Sequence, residues 1–526
     1  MFLNIIRLSI DLVGIFVYKK TIMSIKILSV KQIREADSFT ILNEPIKSID
    51  LMERAASKCA EWLIGKISGQ KVKVFCGMGN NGGDGLALVR ILLADFIRAE
   101  AFIVHHGKTF SEDSSINLKR LEELSPEIIH HIYTENDIPE IDQTDVVVDA
   151  VFGSGLSKPV TGIAALVFDQ INNSEAITIA IDIPSGLFAD AYTDPSKGAI
   201  IAADYTLTFQ LPKLAFFFSQ NDRFCGEWVI LDIHLHPQFI EQVQTKTFLL
   251  TKEDIAPILK PRGRFSHKGT YGHALLIAGG KGKTGAAILS AKAAIRTGLG
   301  LLTVHLPEDA AIPLQTAVPE AMISYDQSKD VFSRIPDLSN YNAIGIGPGI
   351  GQRPETAAAL KLLIQEIKVP IVFDADALNI LGDNRTWLSF LPVGCILTPH
   401  PKEFERLAGK SGDEFERLEM QKAFSAKYNC YVVVKGAFSS ISTPDGKVYF
   451  NPTGNPGMAT GGSGDILTGI ILSLLAQHYT PLEAVLTGVY IHGLAGDFAV
   501  EEQGYPSLIA SDIIDCLSNA FKDLCD

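Results

Sequence analysis

The chain has no C-x-x-C pair, no long Lys/Arg cluster, no internal repeat and no low-complexity tract. Its seven cysteines are Cys59, Cys76, Cys225, Cys395, Cys430, Cys516 and Cys525. They are odd in number and widely spaced, which argues against a disulfide framework or a zinc site and for a reducing compartment. Each is expected to pack as a small apolar side chain. Without a basic face, and with a formal net charge of −14, the chain is a poor candidate for binding nucleic acid. A clean apolar run of the roughly 20 residues that a spanning helix needs is also missing. The apolar opening, residues 1–22, is interrupted by Arg7 and Asp11, and no small-residue cleavage site follows it. Residues 1–22 are read as an extension or an upstream mis-start, with Met23 as the start. No stable membrane association is expected.

What remains is ordinary globular material: 526 residues, 47% hydrophobic and 20% charged. That length favours two or more domains with sizeable cores. A cytoplasmic enzyme or small-molecule binder is the reading these properties favour.

Against this background two glycine-rich loops stand out, each carrying an aspartate. Gly77 to Gly85 reads G-M-G-N-N-G-G-D-G, and Asn455 to Asp465 reads N-P-G-M-A-T-G-G-S-G-D. Both lie between a strand-like apolar run and a helix-like run, where backbone N–H groups and a helix N-terminus gather around phosphate. Two cradles in one chain imply two active sites acting on related nucleotides.

Around the first loop, apolar runs at Val72–Cys76, Ala101–His105, Val146–Ala150 and Ile177–Ile181 alternate with helical pattern such as Asp84–Leu93. Around the second, strands are expected at His273–Ala278, Leu301–His305, Ala343–Ile346, Ile371–Phe373, Cys395–Thr398 and Cys430–Val434, with helices at Gly285–Gly298, Ile466–Leu475 and Pro481–Val500. Such alternation predicts parallel sheets covered on both faces. The fold class is therefore α/β, with two doubly wound domains. Residues 237–250 lack strong periodicity and are read as the boundary, leaving domains at 23–240 and 250–526.

Gly77, Gly79 and Gly82 satisfy G-x-G-x-x-G, but the next strand ends in His105-His106-Gly107 rather than in a ribose-binding acid, so dehydrogenase-type NAD binding is poorly supported. Asp149 and Asp182 sit at two further strand ends. An Asp in an apolar strand must be paired, ion-bound or functional. In the second half, G-G-K-G-K-T-G at Gly279 to Gly285 fails as a P-loop because Ile277 stands where the motif needs glycine. Lys281 and Lys283 are read as parts of a turn. Asp465, at the start of a helix behind Gly461 to Gly464, is placed to take a proton from a substrate hydroxyl during phosphoryl transfer. His400 lies among the converging strand ends and is expected to touch substrate.

The pieces N-N-G-G-D-G, D-A-V-F-G-S-G-L and D-I-P-S-G make Ile25 to His236 resemble the NAD(P)H-hydrate epimerase family, the YjeF N-terminal domain, a Rossmann-like three-layer fold. The resemblance implies that substrate is held by Asn80, Asn81, Gly82, Gly83 and Asp84, by Gly153, Ser154, Gly155, Leu156, Ser157, Lys158 and Pro159, and by Asp182. It also implies potassium held by Asn81, Asp149 and Ser185. Asp182 is the expected general acid and base for epimerisation of the R and S hydrates. The pieces S-H-K-G-T-Y-G, G-I-G-P-G-I-G, D-A-D-A-L-N, T-P-H-P-K-E-F, V-V-V-K-G-A and N-P-G-M-A-T-G-G-S-G-D make Thr251 to Cys525 resemble the ribokinase-like superfamily, and within it the ADP- or ATP-dependent NAD(P)H-hydrate dehydratases. That resemblance implies a base at Asp465, hydrate contacts at Ala286, Gly349, His400 and Asp465, and nucleotide contacts at Lys435, Gly436, Ala437, Phe438, Ser439 and Gly464. Magnesium is expected with the nucleotide, although no pair of carboxylates identifies its ligands. A homo-oligomer is expected. Two alternatives stay open: a ribokinase-type small-molecule kinase, and a nucleotide-sensing or protein-binding role for the first half.

Overall fold

In the computed structural model, residues 24–107 and 109–525 are described. The expectation for residues 1–22 and for the start at Met23 lies outside them.

Val72–Cys76, Val146–Ala150 and Ile177–Ile181 form strands at their expected places. They join a seven-stranded sheet in the spatial order 129–132, 99–104, 72–76, 146–150, 177–181, 205–209, 227–231. All its pairings are parallel. Alternate residues of each strand point to opposite faces. Val72, Val74 and Cys76 therefore pack with helices Ser48–Ile64 and Asn80–Ala94, whereas Phe75 and Val147 pack with helix Ile163–Asn172. The result is three layers with apolar cores on both sides of the sheet. Strand order reverses between Val72–Cys76 and Val146–Ala150, and ligands of doubly wound sheets bind at such a switch point.

The second sheet has eleven strands. Its parallel part runs 322–325, 301–306, 273–277, 343–346, 371–373, 396–397, 431–434. Ala274 and Leu276 face helices Thr284–Arg296 and Ser463–Ala476, while Leu275 and Ile277 face helices Pro354–Glu366 and Ala375–Asp383. The switch point lies between 273–277 and 343–346. Helix Ser463–Ala476 is almost wholly buried. Its Gly469 lies so close to Thr284–Arg296 that a Cβ there would strike the Ser290 carbonyl.

Residues 237–250 are not a bare connection. Pro237–Gln242 is a short helix, and Thr247–Leu249 is a strand parallel to Val448–Phe450 in the second sheet. Ile25–Lys26 then adds the edge strand of that same sheet, antiparallel to Thr247–Leu249. The two halves also share an aromatic cluster. Phe217 stacks on Phe450 at 4.6 Å and meets Phe438 edge-on at 5.2 Å, and Phe218 lies 4.4 Å from Phe415. Among the described residues no helix is long and apolar enough to cross a membrane.

Candidate active sites

The first site opens at the switch point of the seven-stranded sheet. Helix Asn80–Ala94 starts immediately behind Gly79. The chain can turn so tightly because Gly82 packs on Gly77, where a Cβ would collide with the Gly77 carbonyl. A cavity of about 720 Å³ lies above this turn, walled by Asn80, Asn81, Asp84, Gly153 to Lys158 and Asp182. Gly82 and Gly83 are buried in the first helical turn rather than on the wall, and Pro159 lies outside it.

Asp182 follows strand Ile177–Ile181 with a φ of 67°, a left-handed conformation that a non-glycine residue holds only at a cost. Its Oδ2 accepts the Ser154 N–H at 2.8 Å. Its Oδ1 lies 2.8 Å from Nζ of Lys213, whose side chain is only 1% exposed. Lys213 also donates to the Thr208 hydroxyl at 2.8 Å. Burial pushes the Asp182 carboxyl up, but Lys213 and the Ser154 N–H outweigh it and hold the group below the usual carboxylate range. Asp84 shows the opposite balance. Burial, with the charges of Asp182, Asp37 and Asp113 added, drives it well above that range. The two carboxyls of the site are thus pushed in opposite directions, Asp182 down and Asp84 up.

Asp149 is fully buried. It accepts the Ser185 N–H at 2.7 Å, the Ser185 hydroxyl at 2.6 Å and the Val151 N–H at 3.2 Å. Burial pushes it up to about 6 against those bonds, and no cation among the described side chains pairs with it. Both polar side-chain atoms of Asn81 are buried without a hydrogen-bond partner. An orphaned amide and an uncompensated buried carboxylate are donors that suit a hard monovalent cation, so the residues fit potassium.

The second site lies at the carboxyl ends of the parallel strands of the larger sheet. A cavity of about 500 Å³ is lined by Lys283, Ala286, Gly349, Asp376, Glu403 and Asp465, among others. The N-termini of Thr284–Arg296 and Ser463–Ala476 both point at it, and each adds partial positive charge. Asp374, 1% exposed, receives Lys435 Nζ on Oδ1 at 2.9 Å and the Thr468 hydroxyl on Oδ2 at 2.8 Å. This bond holds Lys435 over the first turn of Ser463–Ala476, beside Gly464. Asp376 accepts Lys283 Nζ at 3.0 Å, the Gly351 N–H at 2.8 Å and Gln352 at 2.9 Å. Burial, then the charge of Asp374, pushes Asp465 up to about 6 against the pull of Lys435. A carboxyl so placed serves as a proton acceptor near neutral pH.

Several of the expected contact residues also have structural partners. His400 is off the cavity wall and caps helix Pro401–Ala408 by accepting the Lys402 and Glu403 N–H groups through Nδ1. Phe438 turns its ring into the aromatic cluster, 6.0 Å from Trp228, so its side chain packs between the halves. Gly436 donates its N–H to Ser439 Oγ at 3.2 Å, which shapes the Lys435–Ser439 turn. Lys283, read as part of a turn, lies on the cavity through Asp376, whereas Lys281 pairs with Asp330. Sequence reasoning missed Lys213, Asp37, Asp374, Asp376 and Thr468. The available signal for Lys213 was a lone lysine inside an apolar stretch, Leu207 to Phe218.

A relative from Moorella thermoacetica, a bifunctional NAD(P)H-hydrate repair enzyme, is 34% identical over 91% of this chain and 93% of its own. The chain belongs to the bifunctional NAD(P)H-hydrate repair enzyme family. A second family member, from Thermofilum pendens, is 34% identical over 95% of this chain and 97% of its own. Residues 274–519 match the family model for NAD(P)H-hydrate dehydratase, and residues 48–215 match that for the YjeF-related protein N-terminus. Among solved structures, an ADP/ATP-dependent NAD(P)H-hydrate dehydratase from Bacillus subtilis, co-crystallised with ATP and Mg2+, is 33% identical. It covers 52% of this chain and 98% of its own, with a TM-score of 0.46.

Proposed function

We propose that this chain repairs hydrated nicotinamide nucleotides at two sites. Residues 23–240 interconvert the R and S hydrates of NADH or NADPH. Residues 250–526 dehydrate the S form, with ADP or ATP as phosphoryl donor. The observation that carries the reading is the pairing of two switch-point cavities in one chain. One holds an ionised Asp182 locked to Lys213, the other an Asp465 pushed up to about 6 between two helix N-termini.

At the first site the hydrate sits against Asn80 to Asp84 and Gly153 to Lys158. Loss of the ring hydroxyl leaves a cation stabilised by the ring nitrogen, and the Asp182 carboxylate favours that charge and accepts a proton from the returning water. Asn81, Asp149 and Ser185 would hold potassium, which offsets the buried Asp149 charge.

At the second site hydroxide is a poor leaving group, so it must first be phosphorylated. Asp465 takes the proton of the ring hydroxyl, and that oxygen attacks the terminal phosphorus of the nucleotide. Backbone N–H groups of Gly461 to Gly464, with Lys435 and Lys283, stabilise charge on the phosphoryl oxygens. Phosphate then departs as the ring nitrogen pushes in its electron pair, and loss of a proton from the neighbouring carbon restores the double bond. Among the described residues no three His, Cys, Asp or Glu side chains converge on a metal cage. Magnesium would therefore enter on the nucleotide's phosphates, where it needs few protein ligands. A cytoplasmic setting, which keeps thiols reduced, belongs to the same proposal.

The test is to incubate S hydrate with enzyme and ADP or ATP and to analyse the products. One free phosphate per reduced nicotinamide formed is expected. A stable phosphorylated product would instead identify a ribokinase-type kinase.

A further inference from the structure

We propose that Asp37 is a second proton-transfer residue of the N-terminal site, giving its proton to the departing ring hydroxyl while Asp182 serves as the carboxylate partner. This inference rests on the epimerase reading and deepens it.

Asp37 lies on helix Val30–Asn43, outside the glycine-rich loops. Arg34, Asp37, Ser38 and Ile41 of that helix all line the cavity, and their spacing puts them on one face. Asp182 reaches the same cavity from the end of strand Ile177–Ile181, so the two carboxyls come from separate elements. Burial and the charge of Asp182, opposed by Lys213, act on Asp37, and no hydrogen bond from the described residues does. A half-buried carboxyl held by nothing around it is unusual for a purely structural residue.

The three carboxyls of the cavity are unequal, and Lys213 acts on two of them, Asp182 and Asp37. Lys213 is 2.8 Å from Asp182 and leaves that group ionised. Asp37 is pushed up to about 6, where a proton is exchanged readily near neutral pH. Asp84 is pushed well above the usual carboxylate range by burial and by the charges of Asp182, Asp37 and Asp113. Carboxyls pushed apart in this way divide into acid and base. The charged or titratable groups that share the cavity with Asp37 are Arg34 on its own helix and Asp84, His106, Asp113, Lys158, Asp182 and Lys213 from other elements.

The step balances. The Asp37 proton moves to the ring hydroxyl, and the C–O bond breaks with its electron pair leaving on oxygen as water. The nitrogen lone pair forms the C=N bond of the cation. A water attacks from the opposite face, its oxygen lone pair forms the new C–O bond, and the C=N pair returns to nitrogen. The proton released goes to Asp182 and returns to Asp37 through water in the cavity.

The test is Asp37→Asn in the full-length protein, assayed for R-to-S conversion across pH. We expect a loss of about 100-fold or more in kcat, with KM little changed. The wild-type fall in rate as Asp37 loses its proton should disappear from the variant's profile, and Asp37→Glu should recover part of the activity. A circular dichroism spectrum and a denaturant-unfolding transition matching the wild type's report that the variant has folded. A variant with wild-type kcat at every pH, or one altered only in KM, would overturn the assignment. A wild-type protein that dehydrates but never interconverts the hydrates would overturn the epimerase reading itself, and this inference with it.

Discussion

Lys213 Nζ lies 2.8 Å from Asp182 Oδ1 in a pocket that leaves the lysine 1% exposed, and this contact decides the charge state of the first site. Burial pushes the Asp182 carboxyl up, and Lys213, with the Ser154 N–H, more than offsets it. Lys213→Met should therefore cost about 3–5 kcal/mol if the carboxylate stays ionised, and less where it takes up a proton. The wild-type pair stabilises the fold above the ordinary Asp range near 4, and that contribution is lost as pH falls through the lower folded value. Denaturant unfolding at neutral and acidic pH should show the gap between variant and wild type narrowing on acidification. Epimerisation should fall about 100-fold or more, because the base no longer keeps its charge.

Asp465 acts as a base only when ionised. With its carboxyl at about 6, dehydration should rise as pH passes upward through that value and level off above it. Asp465→Asn should lower the rate by about 100-fold or more and remove this acid limb. The epimerase rate of the same variant should be unchanged, since Asp465 belongs to the other sheet.

Asn81 has two buried, unpartnered polar atoms, and Asp149 is a buried carboxyl with no paired cation among the described residues. Wild-type epimerisation and thermal stability should increase on titration with potassium at constant ionic strength. Asn81→Ala should lose most of the potassium response. An equal response in wild type and variant would remove Asn81 from the ion site.

Phe217, 5% exposed, stacks on Phe450 and meets Phe438. Phe217→Ala should destabilise the protein by about 3–5 kcal/mol, measured by denaturant unfolding. Phe438→Ala should leave the KM for nucleotide almost unchanged, whereas Lys435→Ala should raise it.

Strands were legible where an apolar run was long enough to be bounded by turn residues, as at Val72–Cys76 and Val146–Ala150. Ile25–Lys26, Thr247–Leu249, Ser440–Ser442 and Val448–Phe450 are too short to show a period, and only their pairing across the chain makes them strands. That is why residues 237–250 read as a featureless boundary. Asp149, Asp182 and Asp465 were legible because an acid beside an apolar strand or glycine turn has no bland explanation. Their partners were not. Lys213 meets Asp182, and Asp374 gathers Lys435 and Thr468, only after separate strand ends converge. His400 shows a further limit, since its place among motif residues gave no sign that its Nδ1 would cap its own helix.

The two proposed sites act in sequence on one pool of substrate. The most direct measurement follows reduced-nicotinamide absorbance in a mixed R and S hydrate preparation with enzyme, potassium, magnesium and ADP or ATP. Complete recovery from both epimers by the wild type is expected, with Asp182→Asn stopping once the S form is spent. Recovery by the wild type that also stopped at the S form would mean that the first site does not interconvert the epimers.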